Sequence, residues 1–318
     1  MAYRIVVAQP IEAEIVADLG RLGPVWMNPG PDPVSPAELA RLGAEAEGLM
    51  AFMTERVDAA LLDACPRLRI VAGAFKGFDN VDLAACGARG VRFTYVPDLL
   101  TAPTAELALG LMIALVRNMR AGDAHVRSPG FRGWRPLLYG GSLIGARIGV
   151  IGTGRVGRAI LQLLTGFEGT RLCHDTDPLP VTEAARLGAG VVDLDTLIAT
   201  SDIVVLATPL SPATTGMVDA AFLARMKPGA YLVNPARGSV VVEAAVAAAL
   251  ASGRLAGYAA DVFELEDRSR PDAPPTVHPG LLAAGNTVFT PHLGSAVTEV
   301  RRAIARSAAD AIVEALSP

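Results

Sequence analysis

Short apolar runs alternate with segments of helical period along almost the whole chain. In the first third, such patterns cover residues 4–8, 12–22, 25–27, 36–44, 48–53, 59–65, 70–75, 81–88 and 91–96. Strand-like and helix-like segments in alternation predict a parallel sheet covered by helices on both faces. Ser35-Pro36-Ala37-Glu38 marks one helix start, with serine as cap, proline in the first position and glutamate three residues after the cap. Residues 97–103 break the alternation and predict a crossover. Residues 104–119 form a strongly apolar helical stretch, and Glu106, Arg117 and Arg120 around it suit packing between domains better than a membrane. Residues 128–141 mix Gly, Pro and Arg with Phe131, Trp134 and Tyr139, and predict a loop.

The second half is organised around residues 147–157. Ile148 to Ile151 form a short apolar run, as expected of a strand buried on both faces. It ends in Gly152, Gly154 and Gly157, a G-x-G-x-x-G turn followed by Val156, Ile160, Leu163 and Leu164 at helical spacing. The three glycines suit a tight turn, close approach to a pyrophosphate and close helix–strand packing, and the helix N–H groups face the phosphates. A second apolar strand over 170–173 leads to Asp175, about 20 residues past the turn, where an acid binds ribose hydroxyls. Strands are predicted again at 203–207, 230–233, 257–260 and 287–289. In open α/β sheets ligands bind outside the carboxyl ends of strands, so Thr208, Pro209, Arg237, Asp261 and His292 are expected around one cofactor. A last helix over 295–316, with Val297, Val300, Ile304, Ala308 and Ile312 on one side, is expected to return to the first domain and close a cleft between the two.

Composition narrows the class. A 318-residue chain that is 51% hydrophobic and 19% charged can bury two cores. A net charge of -4 argues against a nucleic-acid partner. Cys65, Cys86 and Cys173 form no C-x-x-C pair, which suits reduced thiols and a cytoplasmic location. No signal peptide or membrane span is evident, and no Cys, His or acid cluster has metal-ligand spacing, so no metal is expected. Among the 28 basic residues only Lys76 and Lys227 are lysines.

The segments GTGRVG, NPARGSVV, GYAADVFELED and FTPHLGS resemble the NAD-dependent D-2-hydroxyacid dehydrogenase superfamily over essentially the whole chain. Within it, AFMTERVD, AFKGFDNVD, VPDLLTAPTAEL, GWRPLLYG and DVFELEDRSRPDAP are most similar to phosphonate (phosphite) dehydrogenases. The resemblance implies an α/β fold of two domains. One is a Rossmann-type doubly wound parallel sheet over 99–293, the other a flavodoxin-like substrate (catalytic) domain over 1–98 plus 294–318. It implies Arg237, Glu266 and His292 as the catalytic group, and Met53, Lys76, Gly77, Trp134, Tyr139 and Arg301 at the substrate. Cofactor contacts are further expected at Thr104, Arg155, Val156, Ala207 and Pro235. It also implies a homodimer, with the region 104–119 a contact.

The residue chemistry runs alongside. Arg237 offers a planar fork for two oxygens of an anion. His292 is the histidine best placed for proton transfer, and the resemblance makes Glu266 the carboxylate that orients it. Asp175 accepts hydrogen bonds from ribose hydroxyls and repels a 2′-phosphate, so NAD is the expected cofactor. Oxidation of phosphite to phosphate, with His292 activating water and Lys76 adding a second cation, is the expected reaction. A D-2-hydroxyacid dehydrogenase of glyoxylate/hydroxypyruvate reductase type and a non-catalytic NAD-sensing scaffold of the same fold are the alternatives.

Overall fold

The computed structural model describes residues 3–270 and 272–317. Residues 1, 2 and 318 of the expected domain ranges, and residue 271 of DVFELEDRSRPDAP, lie outside the described residues. The chain divides into two units: Met1–Leu100 with Asp267–Asp272 and Ser295–Pro318, and Thr101–Glu266 with Ala273–Gly294.

The first unit is built on five parallel strands: β1 (Ile5–Val7), β2 (Val25–Met27), β3 (Gly48–Ala51), β4 (Ile70–Gly73) and β5 (Arg92–Thr94), in the order β2-β1-β3-β4-β5. That is the flavodoxin-like order. The apolar runs are continuous because successive side chains enter opposite layers. Ile5, Val7, Met50, Ile70 and Ala72 face one core, which the last helix, Thr298–Leu316, covers with Ile304, Ala308 and Ile312. Val6, Leu49, Ala51 and Val71 face the other, beneath the helices Pro36–Gly43, Ala59–Ala64 and Leu83–Ala88. Ser35 does cap the first of these, accepting from the Glu38 N–H at 3.2 Å.

The second unit carries seven parallel strands: β6 (Arg147–Ile151), β7 (Thr170–His174), β8 (Ala189–Val191), β9 (Ile203–Leu206), β10 (Ala230–Asn234), β11 (Leu255–Ala260) and β12 (Thr287–Phe289). Their order, β12-β11-β10-β9-β6-β7-β8, is that of a doubly wound dinucleotide fold with one strand added at an edge. Its switch point lies between β6 and β9, where the glycine turn emerges. Ile148 and Val150 enter one layer with Val205 and Val233, while Ile151 enters the other with Val204, Leu206 and Leu232.

The helix expected over 104–119 runs instead over Thr101–Val116, and a second, polar helix, Met119–Arg127, follows it. Asn118 breaks it in the left-handed region (φ 53°), which asparagine tolerates, and its amide donates to the Leu138 and Tyr139 carbonyls. Leu111, Met112 and Leu115 of the first helix are buried in the core of this unit. No helix among the described residues is long and apolar enough to cross a membrane.

Candidate active site

The turn after β6 is held closed by contacts that only glycine allows. Gly152 adopts φ 98°, and a Cβ there would stand 2.6 Å from the Ala207 oxygen. A Cβ on Gly157 would stand 1.9 Å from the Gly152 oxygen. Gly154 caps the helix Arg155–Leu163, and a Cβ on it would meet nothing within 4 Å. Arg155 and Val156 form the first turn of that helix. At the end of β7, Asp175 accepts from the Thr153 N–H at 2.5 Å, from the Thr153 hydroxyl at 3.2 Å and from the Asp177 N–H at 3.1 Å. Partial burial pushes its carboxyl up, but these hydrogen bonds together outweigh it and hold the group below the usual carboxylate range. Ala207, Thr208 and Pro209 follow β9, and the Thr208 hydroxyl is buried with no hydrogen-bond partner. An orphaned buried hydroxyl beside a glycine cradle with open space over Gly154 fits a dinucleotide.

The loops after β10, β11 and β12 gather Arg237, Glu266 and His292. Asn234, fully buried, accepts from the Ala236 N–H at 3.0 Å and donates to the Arg237 carbonyl at 2.9 Å, closing the turn through Pro235. Sequence reasoning gave Asn234 no role, although an Asn-Pro pair at a strand end is a turn signal. Asp261, 1% exposed, accepts from the Thr290 hydroxyl at 2.6 Å and from the N–H groups of Leu293 (2.6 Å) and Gly294 (2.8 Å). Its own carbonyl accepts from the His292 N–H at 2.8 Å. Burial pushes the Asp261 carboxyl up despite these bonds. The clamp forces His292 to φ 57°, a left-handed conformation uncommon for a side chain of this size. Its Nδ1 then lies 2.5 Å from Glu266 Oε2, while Glu266 Oε1 accepts from the Phe263 N–H at 2.8 Å. Thr104 donates to the Gly294 carbonyl at 3.3 Å, at the far end of the same turn.

The remaining expected residues lie in the loop after Met119–Arg127 and in the first unit. Trp134 and Tyr139, 79% and 75% exposed, lie in the loop after Met119–Arg127, and no hydrogen bond or ring contact joins either to Arg237, Glu266 or His292. In the first unit, Arg301 lies with its guanidinium 5.7 Å from the Phe52 ring centre and Nη1 3.5 Å from the Ala74 carbonyl. Burial pulls its guanidinium down from the ordinary value. Met53 directly follows Phe52, and the half-buried Lys76 and Gly77 come two and three residues after Ala74, so all three lie on the loops that Arg301 touches. Asn80 binds their two loops together, donating to the carbonyls of Phe52 (3.1 Å) and Glu55 (2.6 Å).

Residues 109–294 match the family model of the D-isomer specific 2-hydroxyacid dehydrogenase, NAD binding domain. The chain is 38% identical over 266 residues to a glyoxylate reductase of Thermococcus onnurineus, a match covering 82% of this chain and 77% of that one. It is 36% identical over 287 residues to the human glyoxylate reductase/hydroxypyruvate reductase, covering 90% and 85%. A crystal structure of a Thermus thermophilus protein superposes with a TM-score of 0.89 at 33% identity, covering 98% of this chain and 96% of that one. The Thermococcus and human relatives correct the expectation of phosphite oxidation and of an enzyme acting on phosphorus, because both bear the name glyoxylate reductase. The physical reason is that a guanidinium fork grips the two oxygens of a carboxylate as readily as those of a phosphorus oxyanion. Arg237 therefore could not decide the substrate, and a lysine after a strand end, Lys76, is equally compatible with either anion.

Proposed function

Because the chain belongs to the D-isomer specific 2-hydroxyacid dehydrogenase family, we propose that it reduces small 2-oxo acids of the glyoxylate and hydroxypyruvate kind to the D-2-hydroxy acids. The observation that carries this is the 2.5 Å contact of His292 with Glu266, beside the turn that bears Arg237. When bound, NADH would supply the hydride for the substrate's carbonyl carbon. The Arg237 fork binds the substrate carboxylate and sets the face of the carbonyl. Glu266 accepts from His292 Nδ1–H, which fixes the ring and leaves Nε2 to deliver a proton to the oxygen that becomes the hydroxyl. Glycines 152, 154 and 157 with the helix Arg155–Leu163 would hold the pyrophosphate, and Asp175 the ribose hydroxyls. Loss of NADH absorbance with glyoxylate and with hydroxypyruvate tests the reading. A protein that turns over neither, yet forms NADH from NAD and another anion such as phosphite, would overturn it.

Cofactor preference follows from Asp175. Its carboxylate, already held by Thr153, repels a 2′-phosphate. NADH should exceed NADPH in kcat/KM, and Asp175→Ala should narrow that ratio by about tenfold or more, equivalent to ~1.4 kcal/mol. An unchanged ratio in the variant would remove Asp175 from cofactor selection.

We further propose a homodimer. Met119, Val126, Trp134, Leu137, Tyr139 and Ile144 of the second unit are each more than half exposed, between 54% and 79%, over a short stretch of chain. The helix Thr101–Val116, the contact expected from sequence, instead spends its apolar face on its own core. Sedimentation equilibrium of the wild type against Trp134→Ala/Tyr139→Ala checks this, with a monomeric wild type the contrary result.

A further inference from the structure

Two acidic residues outside the group just described hold one another by main chain. Glu264 Oε1 accepts from the Glu243 N–H at 2.7 Å, and Glu243 Oε1 accepts from the Glu264 N–H at 2.9 Å. The second oxygen of Glu243, Oε2, accepts from the His278 N–H at 2.7 Å. Glu243 is only 4% exposed and opens the helix Glu243–Ala251. Glu264 opens the 3-10 turn that ends in Glu266. The two segments are also pressed together one residue beyond Arg237. A Cβ on Gly238 would stand 1.9 Å from the carbonyl carbon of Phe263 and 2.5 Å from the Glu264 nitrogen.

We propose that Glu243 and Glu264 form a reciprocal clamp that positions Glu266 against His292 and keeps the Arg237 turn in register with it. The hydrogen bonds of Glu243 go to Glu264 and His278, not to His292 or Arg237; it is a positioning residue, acting through Glu264 and the 263–266 turn. The geometry requires two acceptors on one side chain. Glutamine offers one acceptor and one donor, so it sets its amide N–H against either the Glu264 or the His278 N–H. Aspartate is one methylene too short to span both. An acid in the first turn of a helix is often only an electrostatic cap. The reciprocity and the contact to His278 separate this one, because a cap needs neither.

The proposal rests on the reading of His292 as the proton-transfer group, so one readout is taken without substrate. In wild-type protein, the His292 Nδ1–H proton engaged by Glu266 should give a low-field NMR resonance, assigned by its loss in His292→Asn. Glu243→Gln should abolish or shift it, lower kcat for glyoxylate by about 10- to 100-fold, and change KM and NADH affinity by no more than about threefold. Glu264→Gln should do the same and keeps the test alive if the first variant does not fold. The double variant should cost about as much as either single one, since both remove the same clamp. Asp193→Ala, which removes a helix cap accepting from the Thr196 N–H, should lower the melting temperature without moving the resonance or kcat. Unaltered resonance and kcat in folded Glu243→Gln, or additive losses in the double variant, would reduce Glu243 to a structural cap. Absence of 2-oxo acid turnover in wild type with the resonance behaving as described would overturn the functional reading and leave the clamp standing.

Discussion

His292→Asn is expected to lower kcat for glyoxylate reduction by ~10²- to 10⁴-fold, the range typical of a positioned acid–base group, with NADH binding little changed. Asparagine is the informative replacement because position 292 has φ 57°. Asparagine enters that region with little penalty, whereas alanine there adds a backbone cost of about 1–2 kcal/mol that could be mistaken for chemistry. The Asp261 clamp on Leu293 and Gly294 uses backbone N–H groups, so it survives the change. What is lost is the ring: its Nδ1 faces Glu266, and its Nε2 is the atom that can pass a proton to the substrate oxygen. Reduction of a 2-oxo acid takes up one proton. Steady-state kinetics, with NADH affinity measured by fluorescence, checks both parts. Near-normal turnover would assign proton transfer to another group.

Much of the fold was legible because both sheets are parallel and buried on both faces. Runs such as Ile5-Val6-Val7 and Ile203-Val204-Val205-Leu206 need no alternation, and their continuity announces strands that feed two cores. The short helices Leu194–Thr200 and Ala220–Arg225 were missed. Each has only six or seven residues, too few to establish a period, although Asp193 and Asp219 cap them. Strand ends told where Arg237, Asp261 and His292 emerge. They could not tell that His292 would be bent into a left-handed turn by Asp261, or that Asn234 would close the turn before Arg237. The Asn234 turn is local and had its signal in the Asn-Pro pair, but the Asp261 contacts link a side chain to backbone 32 and 33 residues away. The Glu243–Glu264 exchange was invisible for the same reason, since each residue alone is an ordinary acid near a helix start. Trp134 and Tyr139, which the resemblance places at the substrate, lie exposed on the loop after Met119–Arg127.

Gly157→Ala is expected to weaken NADH binding by at least ~10²-fold, the scale of a 1 Å misplacement in a site, and to lower the melting temperature. The added Cβ would stand 1.9 Å from the Gly152 oxygen and 3.0 Å from its carbon, distances no packed methyl tolerates. The turn cannot withdraw to make room. Gly152 is held by its N–H to the His174 carbonyl at 2.8 Å, and the Ala207 backbone stands so near that a Cβ on Gly152 would meet its oxygen at 2.6 Å. The helix Arg155–Leu163 must move instead, by roughly an ångström or more. Its first N–H groups then lose their aim at the phosphates, and Thr153 is dragged from Asp175. Gly154→Ala supplies the contrast, because a Cβ there meets nothing within 4 Å of the protein. That variant should melt at nearly the wild-type temperature and lose NADH affinity through the space its methyl takes from the pyrophosphate. Fluorescence titration with NADH and a thermal melt on both variants separate the two mechanisms. A Gly157→Ala protein that binds NADH as tightly as wild type would show that the helix can shift without disturbing the cradle, and the pyrophosphate would then have to be held elsewhere.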